Sequence, residues 1–217
     1  MPAVVIFLGP SLDTGRAREI LGTAEYHPPA KRGDILRAVE EGADIIGLID
    51  GVFFQDCSVA HKEILAALKA GVTVVGASSM GALRACEMDT LGMIGIGRIY
   101  RMYRDGILIS DDEVALACDP FTDDAVSEAL VDIRITCEDA LAREVISESL
   151  HDCIIMAAEG MYYPERTYRS IIRRCSEAFG PEEVGRFSAW VETSCIRQKE
   201  ADAIEAIRFI ADLTAGE

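Results

Sequence analysis

The chain has 217 residues, half of them apolar, so it can bury a sizeable core and is not a disordered polypeptide. Its 37 acidic side chains outnumber 21 basic ones for a formal net charge of −16. That excludes a duplex-binding protein and disfavours anionic membrane surfaces, since both need clustered Lys and Arg. No apolar run reaches the ~18 residues of a spanning helix, and Val4–Leu8 is too short for a signal peptide's core, so a soluble cytoplasmic protein is expected.

The first hundred residues alternate strand-like and helix-like segments. Val4–Leu8 reads as a β-branched strand ending in Gly9-Pro10-Ser11, Thr14–Leu21 as a helix, and Ala24–His27 as a short strand stopped by Pro28-Pro29. Asp34–Glu41 is a helix after Gly33, Ile45–Ile49 a third strand before Asp50-Gly51, and Ser58–Ala70 an amphipathic helix closed by Gly71. Val72–Val75 is a fourth strand, and Ala82–Met88 begins the next helix. Thr90–Pro120 is less regular, with glycines at Gly92, Gly95, Gly97 and Gly106. The remainder reads as helices over Ala125–Ser147, Leu150–Met161, Tyr163–Phe179, Glu182–Ser194 and Arg197–Leu213, with Pro164 and Pro181 as helix starts.

Apolar strands spaced by helices predict an α/β fold: a Rossmann- or flavodoxin-like parallel sheet of four to five strands, followed by an α-helical C-terminal region. The division expected is a core domain over residues 1–120 and a helical region over 121–217, packed on or beside it. The seven cysteines contain no Cys-x-x-Cys pair, so a structural zinc site has no support, and most should be buried reduced thiols. No other metal and no cofactor is expected. Cys57, in a loop between strand and helix, stands apart.

Ligands of such sheets bind beyond the carboxyl ends of the strands, which selects four loops: Gly9–Ser11, Pro28–Asp34, Asp50–Cys57 and Ala77–Gly81. In the last, a buried strand runs through Gly76-Ala77-Ser78-Ser79-Met80-Gly81 straight into a helix. Aligned on Ser79 this is the small-x-Ser-x-Gly form of a nucleophile elbow, with helix amides ready for an oxyanion. The same residues also fit an anion site or a plain serine N-cap. A nucleophilic serine needs a base, and of three histidines His61 lies nearest the same sheet edge, with Lys62 beside it; His27 and His151 are the others. Asp50 ends an otherwise apolar strand, where it can orient a base or simply form a turn with Gly51. Lys31-Arg32-Gly33-Asp34 is a basic pair in a very acidic chain, suited to a carboxylate or thiocarboxylate or to a solvated loop. Arg84 and Glu87 are spaced to pair along one helix.

Together these segments resemble the TfuA-like family. The resemblance is carried by Ile6–Leu12, Pro28–Ile35, Ile46–Phe53, His61–Leu65, Gly76–Ala85 and Asp111–Ala115, which span about the first 120 residues. It implies a partner of a YcaO enzyme, a cyclodehydratase-like protein that activates backbone amides and, with a TfuA-like protein, makes thioamides. Substrates in such systems include ribosomal peptide natural products and a glycine of methyl-coenzyme M reductase. The implied activity is hydrolysis of the C-terminal thiocarboxylate of a ThiS-like ubiquitin-fold sulfur carrier, releasing hydrosulfide. On that reading Ser79, His61 and Asp50 are catalytic, and the backbone amides of Met80 and Gly9 bind the oxyanion. Ser11, Lys31, Arg32, Asp34, Lys62, Ser78 and Arg84 bind substrate. Two alternatives are a persulfide sulfurtransferase using Cys57 at a helix start, and a non-catalytic adaptor that activates the YcaO enzyme.

Overall fold

Val4–Phe7 (β1) is buried on both faces and lies between Glu25–His27 (β2) and Ile45–Leu48 (β3), paired in parallel with each. Thr73–Ala77 (β4) adds to β3 and Ile94–Ile96 (β5) to β4, giving a five-stranded parallel sheet in the order β2-β1-β3-β4-β5. This is the doubly wound, flavodoxin-type order, whose topological switch lies between β1 and β3. The computed structural model describes residues 2–53, 57–119 and 125–216, and these form two compact units, residues 1–111 with 199–217, and residues 112–198. Among the described residues no helix is long and apolar enough to cross a membrane.

In the first unit the connecting helices are Thr14–Ile20 (α1), Asp34–Glu40 (α2), His61–Lys69 (α3), Met80–Met88 (α4) and Arg98–Arg104 (α5). Alternate residues of each strand face opposite ways, so Val5, Phe7, Ile46, Leu48 and Val74 pack with the helices α2 to α4 on one face. Val4, Ile6, Ile45, Ile49 and Val75 bury the other face, beneath Ala17 and Leu21 of the α1 segment and Ala203, Ala206, Ile207 and Ile210 of the final helix, Gln198–Ala215 (α10). A Cβ on Gly47 would meet Ile210 at 2.9 Å, so the glycine lets α10 lie close on β3.

Boundaries differ from the sequence reading where tertiary contacts set them. The helix expected from Ser58 starts at His61, because the buried Glu63 carboxylate reaches back to the Ala60 amide at 3.3 Å and to the Gly33 amide at 2.7 Å. Cys57 therefore precedes the helix rather than starting it. The segment read as irregular holds β5 and α5. Its glycines mark close approaches: a Cβ on Gly95 would sit 2.2 Å from the Tyr100 ring, and one on Gly97 2.4 Å from the Asp202 carboxyl. That carboxylate, fully buried, accepts the Arg98 amide at 3.0 Å and the Ile99 amide at 2.7 Å, capping α5 from α10.

The second unit is helical: Leu130–Ala142 (α6), Glu148–Glu159 (α7), Tyr168–Cys175 (α8) and Pro181–Ser194 (α9) around a core that includes Ile133, Ile154, Ile171 and Phe187. The single helix expected over Tyr163–Phe179 is broken into a 3-10 turn at Tyr163–Glu165 and α8. Between them Arg166 turns inward, completely buried, donating to the carbonyls of Ala158 and Met161 and pairing with Asp112. Thr167 then caps α8 through the Ser170 amide at 3.1 Å. The boundary expected at residues 120 and 121 lies outside the described residues, and α10 from Lys199 on belongs to the first unit.

Candidate functional site at the carboxyl edge of the sheet

Asp50 lies two residues beyond the end of β3 and is 2% exposed, at the switch point between β1 and β3. Its Oδ2 accepts the amides of Gly9 (2.9 Å) and Ser11 (3.1 Å), and its Oδ1 accepts the Ser11 hydroxyl at 2.7 Å. The loop after β1 is thus wrapped around the end of β3. The Gly9 amide, expected to serve an oxyanion, is already engaged there.

At the end of β4 the chain makes a γ-turn: the Ser79 amide donates to the Ala77 carbonyl at 2.7 Å, and Ser78 between them has φ 65°. Such a turn is strained for a residue with a side chain. The strained residue is therefore Ser78, one position before the serine on which the elbow pattern aligns. Close packing of α4 explains the offset. The Gly81 amide donates to the Ile49 carbonyl at 3.2 Å, and a Cβ on Gly81 would lie 1.7 Å from the Leu48 carbonyl oxygen, so the helix must begin by Met80 and the bend falls earlier.

The fully buried Ser78 hydroxyl lies 2.9 Å from the Ser11 hydroxyl and 2.8 Å from the Lys199 carbonyl at the start of α10. The result is a chain Asp50–Ser11–Ser78–Lys199 carbonyl, with hydrogen-bond acceptors at both ends. Two hydroxyl hydrogens serve its three contacts, so the chain can hold them in more than one register. Ser79 is 2% exposed and its hydroxyl does not cap α4. Among the described residues neither that hydroxyl nor the Met80 amide has a hydrogen-bond partner. An uncommitted hydroxyl beside an uncommitted amide at a helix start suits attack on a carbonyl carbon with the oxyanion received by the amide.

His61 opens α3, with its Nε2 2.8 Å from Glu87 Oε2 on α4. Arg84 donates to the same Glu87 oxygen at 2.6 Å and to the Val59 carbonyl at 3.0 Å, with only 12% of its side chain exposed. Arg84 and Glu87 line a groove of about 590 Å³ with Ser58, Met80, Leu83 and Asp111. Among the described residues no hydrogen bond joins His61 to Asp50 or to Ser79; the histidine is oriented by Glu87 and the aspartate by the β1 loop. The other histidines lie elsewhere, His27 against Glu25 on the edge strand and His151 against Asp152 in the helical unit.

The basic pair divides. The Arg32 amide is tied to the Cys57 carbonyl at 2.7 Å, whereas the Lys31 amide donates to Asp34 at 2.8 Å. Lys31 and Asp34 line a separate cavity of about 360 Å³ with His27 and Arg37, away from the Arg84 groove. Lys62 is exposed on α3. On α4 burial and the carboxylates of Asp89 and Glu87 push the Cys86 thiol up, which disfavours a thiolate there.

Two contributors escape a reading of sequence. Glu87 has a visible i, i+3 relation to Arg84, but its contact with His61 crosses 26 residues. The Lys199 carbonyl is backbone, which leaves no side-chain signal at all.

The order of the sheet, the buried acid at its switch point and the serine turn into α4 define an α/β protein with its polar site at the carboxyl edge. A family model described as TfuA-like protein matches residues 50–167, over half of the chain, and the chain belongs to the TfuA-like family. The match begins at Asp50, takes in His61, Ser79, Arg84 and Glu87, and runs into the helical unit as far as Thr167, whereas the Gly9–Ser11 and Pro28–Ile35 stretches precede it. Comparison with curated proteins finds no match. Family membership is consistent with a role beside a YcaO enzyme in thioamidation.

Proposed function

We propose that this protein delivers sulfide to a YcaO enzyme during peptide or protein thioamidation, by hydrolysing the C-terminal thiocarboxylate of a ThiS-like carrier. The observation that carries this reading is the uncommitted Ser79 hydroxyl beside the uncommitted Met80 amide, at the head of α4 in a TfuA-like protein. Ser79 attacks the thiocarboxylate carbon, and the Met80 amide receives the oxyanion. The C–S bond breaks, the serine proton leaves with the sulfur as hydrosulfide, and an acyl ester remains. Water then cleaves the ester, returning the serine and the carrier carboxylate. His61, oriented by Glu87, moves the protons, while Arg84 at the groove meets the anionic tail. Asp50 acts at one remove, as a positioning residue that holds Ser11 and, through it, Ser78.

Sulfide release from a thiocarboxylated carrier tests the scheme, with methylene-blue detection and trapping of the ester by mass spectrometry. Loss of release in Ser79→Ala supports it. Release at the wild-type rate refutes the covalent step and transfers the role to water activated by His61.

A second reading is an adaptor role, favoured by Ile107 and Ile109, which are 65% and 89% exposed on the loop after α5. Exposed apolar side chains beside a groove suit a protein partner. Thioamide formation supplied with free sulfide separates the two, because an adaptor is still required under that condition.

A further inference from the structure

The helical unit gathers four cysteines around one core, Cys137 on α6, Cys153 on α7, Cys175 at the end of α8 and Cys195 after α9. Two of them are in direct contact. The Cys153 and Cys175 sulfurs are 3.0 Å apart as free thiols, about 1 Å beyond a covalent S–S bond of ~2.05 Å. Cys153 is half-buried and Cys175 is 1% exposed. Cys175 is the last residue of α8, with Ser176 as its C-cap, so one of the two sulfurs stands at a helix end.

We propose that Cys153 and Cys175 are an oxidisable dithiol, a modification site that closes to a disulfide and staples α7 to α8. The co-reactant is a low-molecular-weight disulfide. Cys153, the more accessible sulfur, gives up its proton and attacks that disulfide, forming a mixed disulfide and releasing one small thiolate. Cys175 then loses its proton and attacks the Cys153 sulfur, expelling the second small thiolate. The two cysteine protons end on the two small thiols, so the protein pair is oxidised by two electrons and the small disulfide is reduced. Access gives first attack to the half-buried Cys153 and resolution to the buried Cys175, whose thiol is pushed up by burial and by its Cys153 neighbour. Cys137 is fully buried with its thiol likewise pushed up by burial, and among the described residues no hydrogen bond joins its sulfur to another, which leaves it a bystander. The segment enclosed by the new bond contains the Met161–Arg166 turn, so oxidation fixes the stretch whose buried arginine grips Asp112.

The test is titration of the full chain with glutathione buffers of increasing oxidation, followed by acid quench, alkylation and non-reducing peptide mapping. The expected result is a Cys153–Cys175 linked peptide, loss of those two alkylation sites together, and a raised melting temperature reversed by dithiothreitol. Exposed Cys57 serves as the internal control and should take only a mixed adduct, at buffers at least about tenfold more oxidising than those that close the pair. Cys153→Ala and Cys153→Ser remove the linked peptide and the melting shift together. Full alkylation of both cysteines in the most oxidising buffer overturns the proposal, as does a linkage that joins any other pair.

Discussion

Asp50 holds Ser11 with both of its oxygens, one on the hydroxyl at 2.7 Å and the other on the amide at 3.1 Å. The contact locks the loop after β1 to the end of β3 in a nearly dry setting. Asp50→Asn directs an amide group at donors that need an acceptor, and a buried hydrogen-bonding group left unmatched costs about 1–3 kcal/mol. Asp50→Asn should therefore lower unfolding stability by that amount, whereas Ser11→Ala, which leaves both backbone contacts in place, should cost about 1 kcal/mol. Urea denaturation of the two variants checks the order.

The two adjacent serines separate by function. Ser79→Ala should reduce sulfide release by about 10³-fold or more with little change in stability, the pattern of a lost nucleophile. Ser78→Ala breaks contacts to Ser11 and the Lys199 carbonyl, so it should cost about 1–2 kcal/mol of stability. Initial rates and melting curves on both proteins distinguish these outcomes. A reversed pattern moves the nucleophile to the strained position.

Glu87 orients His61 and Arg84 from a partly exposed place, so it matters more for geometry than for stability. Glu87→Gln should lower sulfide release about tenfold while changing stability by less than about 1 kcal/mol. The Arg84 contact to Val59 survives in that variant, which keeps the groove's wall in place. Rate measurement alongside denaturation reads both quantities.

Glycines forecast opposite signs at two places. Gly81→Ala drives a methyl into the Leu48 carbonyl and should destabilise the chain by at least about 3 kcal/mol. Gly185 lies inside α9 with nothing within 4 Å of where a methyl would stand, so Gly185→Ala should stabilise the chain by about 0.5–1 kcal/mol. Calorimetry on both variants tests the pair.

Hydrogen bonding from Ser147, from its side chain first and then from its amide at 2.9 Å, holds the Glu183 carboxyl below the usual glutamate range. A depressed acid stabilises the folded state above its unfolded titration and loses that contribution as pH falls through its folded one. Glu128 is the reverse: burial raises it, Arg197 offsets part of the rise, and its charged form weighs against folding as pH climbs through the glutamate range. The gap between wild type and Glu183→Gln should therefore shrink in acid. Denaturation at pH 7 and pH 3 measures it.

Much of the sheet is legible in the sequence because β1, β3 and β4 are short apolar runs, such as Ile45–Leu48 before Asp50, and β2 is stopped by Pro28. The fifth, Ile94–Ile96, is hidden by glycines that serve Tyr100 and Asp202 rather than a loop. The site is legible to the same depth. Its loops and serine turn are local patterns, and Asp50, Ser11 and Ser78 come together because topology brings strand ends together. The pairing of His61 with Glu87 instead of Asp50 depends on how α3 packs against α4, and no local spacing encodes it. Likewise α10 reads as one more amphipathic helix, and nothing in its periodicity says that it returns to the first sheet.

That return has a consequence for how the chain matures. The helix that covers β1 and β3, caps α5 with Asp202 and offers its Lys199 carbonyl to Ser78 is made after every other element of the first unit, with the whole helical unit in between. During synthesis the sheet emerges with one face covered only in part, by the α1 segment, and its polar edge stays unfinished until the ribosome has delivered α10. Nascent chains halted before Lys199 should therefore carry the serine turn without the clasp that sets it.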